Sequence, residues 1–417
     1  MRPARATATA TATATAVATG IVHLALGLAT LASLAGCTTE DIVAIRRCTG
    51  AACAAPDDRP GYCQQSGPSI LLPTLGGSAT CAGALATRTF QFALCTCTDY
   101  ASNVGLSTDS FDSATGPYRA PGGVAAAVGV NGKLESTGSA TIRGSLWVAG
   151  ADLRFGPSLD VSGDLSAAGR LGSAITSVRV GGAARVGSDI EVASLSVAGT
   201  LSLPAAATLT APTQSVGALR REAVTVAPPC PCGAASEIDI AALVEAHRSA
   251  NHNADIGLGA DSLVGFTQDQ TRELPCGRYF LSRIDGRAGL TLVITGRVAL
   301  FIAGDITLTG ALRVDVRPGG QLDLFVGTHI DVGSDLSFGS PAAPADARLY
   351  VGGGGAINLA GNSVIAGNLY APRADLVISG GAEVFGALLV QRVVHSAPLS
   401  LHHDVAVRRA GDSCPVL

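Results

Sequence analysis

Apolar and polar positions alternate in twos over most of this chain, and glycines punctuate the alternation at short intervals. The segments ATIRGSLWVAG, LDVSGDLSAAG, VRVGGAARVG and LSVAGTLSLP each read as a short apolar strand, a glycine and a second apolar strand. Anchored on Gly144, Gly163, Gly182 and Gly199, they recur at steps of 19, 19 and 17 residues. A period of two within each unit argues for strands over helices. A period of about 20 between units is the signature of a solenoid, in which no single repeat buries its own apolar face. A second array follows, marked by the apolar pairs Leu300-Phe301, Leu324-Phe325, Leu349-Tyr350, Leu369-Tyr370 and Leu388-Leu389. Coils stacked about 4.8 Å apart would align these pairs into columns, one residue inward and its neighbour outward. The fold class expected is therefore mainly β: a parallel β-solenoid in two segments, 124–225 and 291–417.

Three stretches depart from this pattern. Residues 226–290 contain SEIDIAALVEAHR, where Ser236 would cap a helix carrying the stripe Ile240, Leu243, Val244 and His247. One short helical insertion is expected there. Residues 37–115 are cysteine-rich and read as a small disulfide-held N-terminal unit, with 116–123 as a linker. Residues 1–36 begin with Arg2 and Arg5 and run through an apolar stretch from Ile21 to Leu34, as an export signal does. Their end, Leu34-Ala35-Gly36-Cys37, resembles the lipobox of bacterial lipoproteins, which implies cleavage before Cys37 and its acylation. Acyl chains on Cys37 would tie the protein to a bilayer, at about 0.8 kcal/mol per buried methylene. The destination so implied is the cell envelope, as an outer-membrane lipoprotein facing the periplasm or the cell surface.

Composition sharpens this picture. The chain is 47% hydrophobic with only 14% charged and 4% aromatic residues, and it has 52 glycines, a balance foreign to a helical enzyme. A net charge of −4 gives no electrostatic footprint for nucleic acid. With Cys37 assigned to lipid, ten cysteines remain, an even number that suits an oxidising compartment. Six (Cys48, Cys53, Cys63, Cys81, Cys95 and Cys97) lie early, and four (Cys230, Cys232, Cys276 and Cys414) lie late. Neither Cys-x-Cys pair can close on itself in extended chain, because its α-carbons would stand about 7 Å apart. Two separately stapled groups are expected, with Cys230 and Cys232 bonded to Cys276 and Cys414.

The stretch GNLYAPRADLVISGGAEVFGALLV, with LSLHHDVAV after it, resembles a Gly-rich domain of exported, pilus-associated bacterial proteins. The matching points are Tyr370-Ala371-Pro372, Phe385-Gly386 and His402-His403-Asp404, with His403 where an aromatic is usual. That resemblance implies no activity. The 124–225 block is similar to bactofilins, the polymer-forming bacterial β-helices. The whole pattern looks like an uncharacterised lipoprotein of the myxobacterial kind.

Candidate chemistry is sparse. His402, His403 and Asp404, with His395, Ser396 and Ser400 nearby, form the one polar cluster in a strand context. His402 and Asp404 share a face there while His403 points the other way. No G-x-S-x-G elbow supplies a nucleophile, so the expectation is that His402 and Asp404 hydrogen-bond and close the last coil. Turn aspartates (Asp160, Asp164, Asp189, Asp305, Asp323, Asp331 and Asp335) are of a kind that binds calcium. The calcium repeat GGxGxDxUx is absent, however, so no metal and no cofactor is assigned. Asn251-His252-Asn253 reads as polar loop. The function expected is a lipid-anchored structural or adhesive protein without catalysis. Its partners would be a membrane and an extracellular matrix, polysaccharide or envelope protein, with oligomeric state open. The alternatives are a polysaccharide-acting β-helix enzyme and a bactofilin-like self-assembling scaffold.

Overall fold

A computed structural model describes residues 59–64 and 70–413. They form a parallel β-solenoid of about fourteen turns with three short faces. Each turn carries one short strand per face, and every strand pairs in parallel with its equivalents above and below. The strands Gly277–Leu281, Arg297–Ile302, Gln321–Val326 and Ala347–Val351 stack in register on one face, the third of each turn.

The order of the turns does not follow the chain. The stack starts at Val264–Phe266 and rises to Leu399–Asp404. The next strands above belong to the other half of the sequence: Leu94 pairs with Leu388, Val393 with Tyr100, and Leu399 with Leu106. From there the turns continue through Val128–Val130, Leu146–Val148 and Leu165–Ala167 up to Thr213–Arg221. The chain thus enters at mid-height, winds to the upper end, and returns along the outside. It re-enters at the lower end and climbs until its last strand abuts its first. The two expected segments are one continuous stack joined at a noncovalent seam.

Two boundaries expected from sequence are corrected here. Strands Leu94–Thr96, Tyr100–Ser102 and Leu106–Phe111 are turns of the solenoid, so the cysteine-rich region is not a separate unit up to residue 115. Strands Val264–Phe266, Gln270–Leu274 and Gly277–Leu281 form the lowest turn, so the insertion ends well before residue 290. Three-residue strands broken by cysteines and polar corners carry too little alternation to be read alone.

Three helices lie outside the solenoid: α1 (Arg59–Cys63), α2 (Ala82–Thr89) and α3 (Ile240–Ala246). Asp239, not Ser236, caps α3, its carboxylate accepting from the amide of Ala242 at 2.9 Å. Ser236 instead ends a preceding 3₁₀ turn. Ile240, Leu243 and Val244 face inward as the stripe predicts.

The apolar pairs align as columns. Leu300, Leu324, Leu349, Leu369, Leu388 and Leu94 follow one another up the interior. Outside runs the neighbouring column of Phe301, Phe325, Tyr350 and Tyr370, with ring centroids 5.0, 4.6 and 6.2 Å apart. This outer column is also buried, since it packs in one cluster with Leu72, Leu85, Phe90, Ile240, Leu243 and Val244. His247 completes it, its ring stacked 3.8 Å from Phe301. Each such ring buries about 150–250 Å², so the helices hold to the solenoid by several kcal/mol per aromatic at about 25 cal/mol per Å². Gly386 shows why glycine recurs where turns stack closely. Its φ is +141°, and a β-carbon there would lie 2.1 Å from the carbonyl oxygen of Gly367 in the turn below.

Candidate functional site

The seam collects most of the polar side chains singled out in the sequence. On the second face, Phe385, His402 and Asp109 occupy equivalent positions of three successive turns. The Nδ1 of His402 lies 2.6 Å from Oδ1 of Asp109, and its Nε2 lies 3.1 Å from the more exposed Glu383. Asp109 also accepts from the Tyr118 hydroxyl at 2.7 Å and from the amide of Gly122 at 3.2 Å. Burial and the Asp109 carboxylate push the Tyr118 phenol above its ordinary range. The rings of Tyr118 and Phe385 stand 4.0 and 4.9 Å from His402 and shield it. An imidazole between two carboxylates is an acid–base arrangement, but no nucleophile completes it among the described residues. Its hydrogen bonds run from one half of the chain to the other.

His403 points inward and is fully buried. Its Nδ1 lies 2.9 Å from the carbonyl of Ala125 and its Nε2 3.3 Å from that of Phe90. Burial pushes its pKa down to about 4, so it stands neutral at pH 7. Asp404 accepts from the amide and hydroxyl of Ser113, at 2.9 and 2.6 Å, and from the amide of Ala406 at 3.0 Å, capping the 3₁₀ turn Val405–Arg409. The expected hydrogen bond between His402 and Asp404 does not form. Residues two apart in a strand sit about 7 Å apart, and Asp109 and Ser113 from the neighbouring half take the two side chains separately. His395 bonds Tyr100 across the same seam and the carbonyl of Ala397 at 2.8 Å. The triad and its neighbours are mortar between turns.

The turn aspartates follow one rule. Asp164, Asp189 and Asp335 each accept from a backbone amide one turn on (Ala183, Thr208 and Asn362) at 2.7–2.8 Å. Asp323 is buried and bound in bidentate fashion by Arg348, at 2.5 and 3.0 Å. Among the described residues, no group of three or more His, Cys, Asp or Glu could hold a metal ion. Asn251-His252-Asn253 lies over the lowest turn. There Nδ1 of His252 accepts from the amide of Arg278, and the Asn253 side chain pairs with both backbone groups of Phe280.

Cysteine pairing differs from the expectation. Cys95 bonds Cys230, and Cys97 bonds Cys232. Cys276 bonds Cys63, and Cys81 is disulfide-bonded as well. The early and late groups are thus stapled to each other. The physical reason is the order of turns: the returning strap passes over the seam, where Cys95 and Cys97 face outward. Two Cys-x-Cys motifs on extended segments present both sulfurs to one side, so they can bond rung to rung. That matched spacing was the available signal. Cys37, Cys48, Cys53 and Cys414 lie outside the described residues.

Three open grooves mark the surface. One of about 600 Å³ crosses the seam on the first face, lined by Ser102, Asn103, Glu135, Arg154, Val377 and His395 among others. Another, of about 390 Å³, lies between Arg297, Arg348, Arg409, Asp346 and Asp412. In it Arg348 is held by Asp323, and Arg297 by Asp412 and the carbonyl of Tyr62. A third, about 310 Å³, runs beneath the strap beside Phe92, Trp147 and Arg185.

Residues 233–410 match a domain of unknown function (DUF7305). No curated protein and no solved structure matches the chain. The DUF7305 segment begins beside Cys232 and ends in the 3₁₀ turn after Asp404. It therefore contains α3, the lower-end loop and the lower half of the solenoid. The upper half and the segment carrying α1 and α2 lie outside it.

Proposed function

We propose that this protein is a lipid-anchored structural or adhesive element of the bacterial cell envelope, with no catalytic site. One observation carries the reading: the polar groups that could do chemistry are spent on holding turns together. His402, His403, Asp404, His395 and the corner aspartates each bond a neighbouring turn or a capping loop. The disulfides suggest an extracytoplasmic protein. The Leu34-Ala35-Gly36-Cys37 sequence supports membrane anchoring through Cys37, and the resemblance to exported, pilus-associated Gly-rich domains supports a place in the outer envelope. What is offered to a partner is then the set of long, regular faces, which suits an envelope polysaccharide or protein.

Two measurements test this. The full chain and its Cys37→Ala variant are produced in a bacterial host, fractionated and probed for incorporated fatty acid. The full chain should carry label in the membrane fraction, and the variant should be unlabelled and released; equal distribution would refute the anchor. The released protein is then incubated with acidic and neutral polysaccharides. Reducing ends produced by the native chain and abolished in Asp109→Asn would overturn the non-catalytic reading and establish an enzyme at the seam.

A further inference from the structure

The two ends of the solenoid are finished differently. At the lower end, Ile256, Leu258 and Phe266 pack on the core cluster and plug the interior. The edge of Gly277–Leu281 is hydrogen-bonded by His252 and Asn253, and the neighbouring strand Gln270–Leu274 carries Arg272 and Glu273. The upper end has none of these devices. Its last turn, Leu209–Thr210 and Thr213–Arg221, pairs only with the turn beneath. Leu209, Gln214, Val216 and Leu219 lie above the buried Ile190, Leu195, Val197 and Leu201, so they face the mouth of the interior. Leu219 is 50% exposed. From Pro204 to Leu219 the sequence has no charged residue. Arg221, at the end of this turn, is folded back, donating to the carbonyls of Pro204 and Ala207 at 3.1 and 2.6 Å.

An uncharged, uncovered edge above an apolar mouth is what proteins ordinarily avoid unless another chain covers it. We infer that this end is a self-association surface whose occupant is the upper end of a second copy. The same edge serves both partners, so the contact is isologous with a two-fold axis across the solenoid axis. Two turns facing each other tip to tip run in opposite senses, so their edge strands pair antiparallel and the apolar mouths of both copies close together. An uncharged edge meets its own copy without like-charge repulsion. Because the lower end is plugged, growth stops at two. The contact covers on the order of 500 Å² per copy, about 1,000 Å² in total, at the lower limit for a specific interface. The dimer is therefore reversible, with a dissociation constant on the order of 10 μM. The inference is independent of the proposed anchoring. If that anchoring holds, α1 places the tether at the lower end, since Arg59 pairs with Asp255 and Cys63 with Cys276. The tips would then point away from the membrane and could join facing surfaces.

The test uses the oxidised full chain carrying Cys37→Ala, which leaves the tip untouched. Sedimentation and small-angle scattering are recorded from about 1 to 200 μM. Expected are a monomer at the low end, a dimer at the high end, and a doubling of the particle's greatest length on dimerisation. Gln214→Lys and Leu219→Lys place a solvated ammonium at the mouth and should leave the chain monomeric throughout with an unchanged melting temperature. Thr271→Lys, at the plugged end, should dimerise normally. A monomer at every concentration, a dimer no longer than the monomer, growth past two, or dimerisation surviving both upper-end lysines would each overturn the inference.

Discussion

The seam makes a prediction about the two parallel disulfides. Cys95–Cys230 and Cys97–Cys232 both span 135 residues, and each encloses almost the same loop. In the chain-entropy description, closing a loop of that length removes about 5 kcal/mol of unfolded-state freedom at 25 °C. Once one bond is in place, the second closes only a ring of about six residues, Cys95 to Cys97 and Cys230 to Cys232, worth about 2 kcal/mol on the same relation. Deleting either bond as an alanine pair should therefore cost about 2 kcal/mol, and deleting both about 7. The excess over additivity, about 3 kcal/mol, isolates the shared loop, because packing losses at the four sites enter both sides equally. Urea unfolding of the oxidised chain, the two paired variants and the quadruple variant, read by circular dichroism, measures it. A quadruple variant no less stable than the sum of the pairs would refute the nested clasp, and with it the placement of the strap over the seam.

Other outcomes follow from single sites. His403 has a pKa of about 4 in the folded chain against 6.5 unfolded, so between these values the unfolded state binds the proton. Its contribution is complete above pH 6.5 and falls as the pH drops toward 4, by about 3 kcal/mol in all; His403→Phe should flatten that share of the urea-midpoint profile, and parallel profiles would refute it. Arg348→Met leaves the Asp323 carboxylate buried without its bidentate partner and should cost about 3–5 kcal/mol, most of it recovered in Asp323→Leu/Arg348→Met. Gly386→Ala places a β-carbon 2.1 Å from a backbone oxygen at φ +141°; a loss of at least about 2 kcal/mol in thermal or urea unfolding is expected.

The fold was legible where repeats were long and regular. Leu300-Phe301 and its successors announced both columns, because a residue and its neighbour on a strand face opposite ways and stacked turns preserve the choice. What could not be read was that the outer column is buried too. Nothing local in Phe325 or Tyr350 says whether an outward ring meets water or a helix, and the cover comes from Leu72, Leu85 and Leu243, scattered over 170 residues of sequence. The polar cluster was legible in the same partial way. His402 and Asp404 were placed on one side of their strand, but the partners that decide their role, Asp109 and Ser113, stand 293 and 291 residues away.

Stacking order explains why these misses share a cause. A solenoid turn needs only a compatible turn above and below it, and the interaction is between neighbours in the stack, not in sequence. Any turn with inward Leu, Ile or Val at the right corners can follow any other, so the repeats alone leave the order of the two blocks free. The choice is made by singular features. The Cys-x-Cys pairs match only each other, Asp109 satisfies the one histidine left outward at Phe385, and Asn131 receives both backbone groups of Cys230, at 2.9 and 3.0 Å. The same logic leaves one end plugged by Ile256, Leu258 and Phe266 and the other bare. Winding upward from the middle, the chain leaves the upper end at Arg221 with nothing beyond it but the strap, whereas the descent supplies a loop to close the lower one. An open tip is therefore a consequence of starting at mid-height, and the residues that finish it, uncharged from Pro204 to Leu219, are those on which a partner turn can rest.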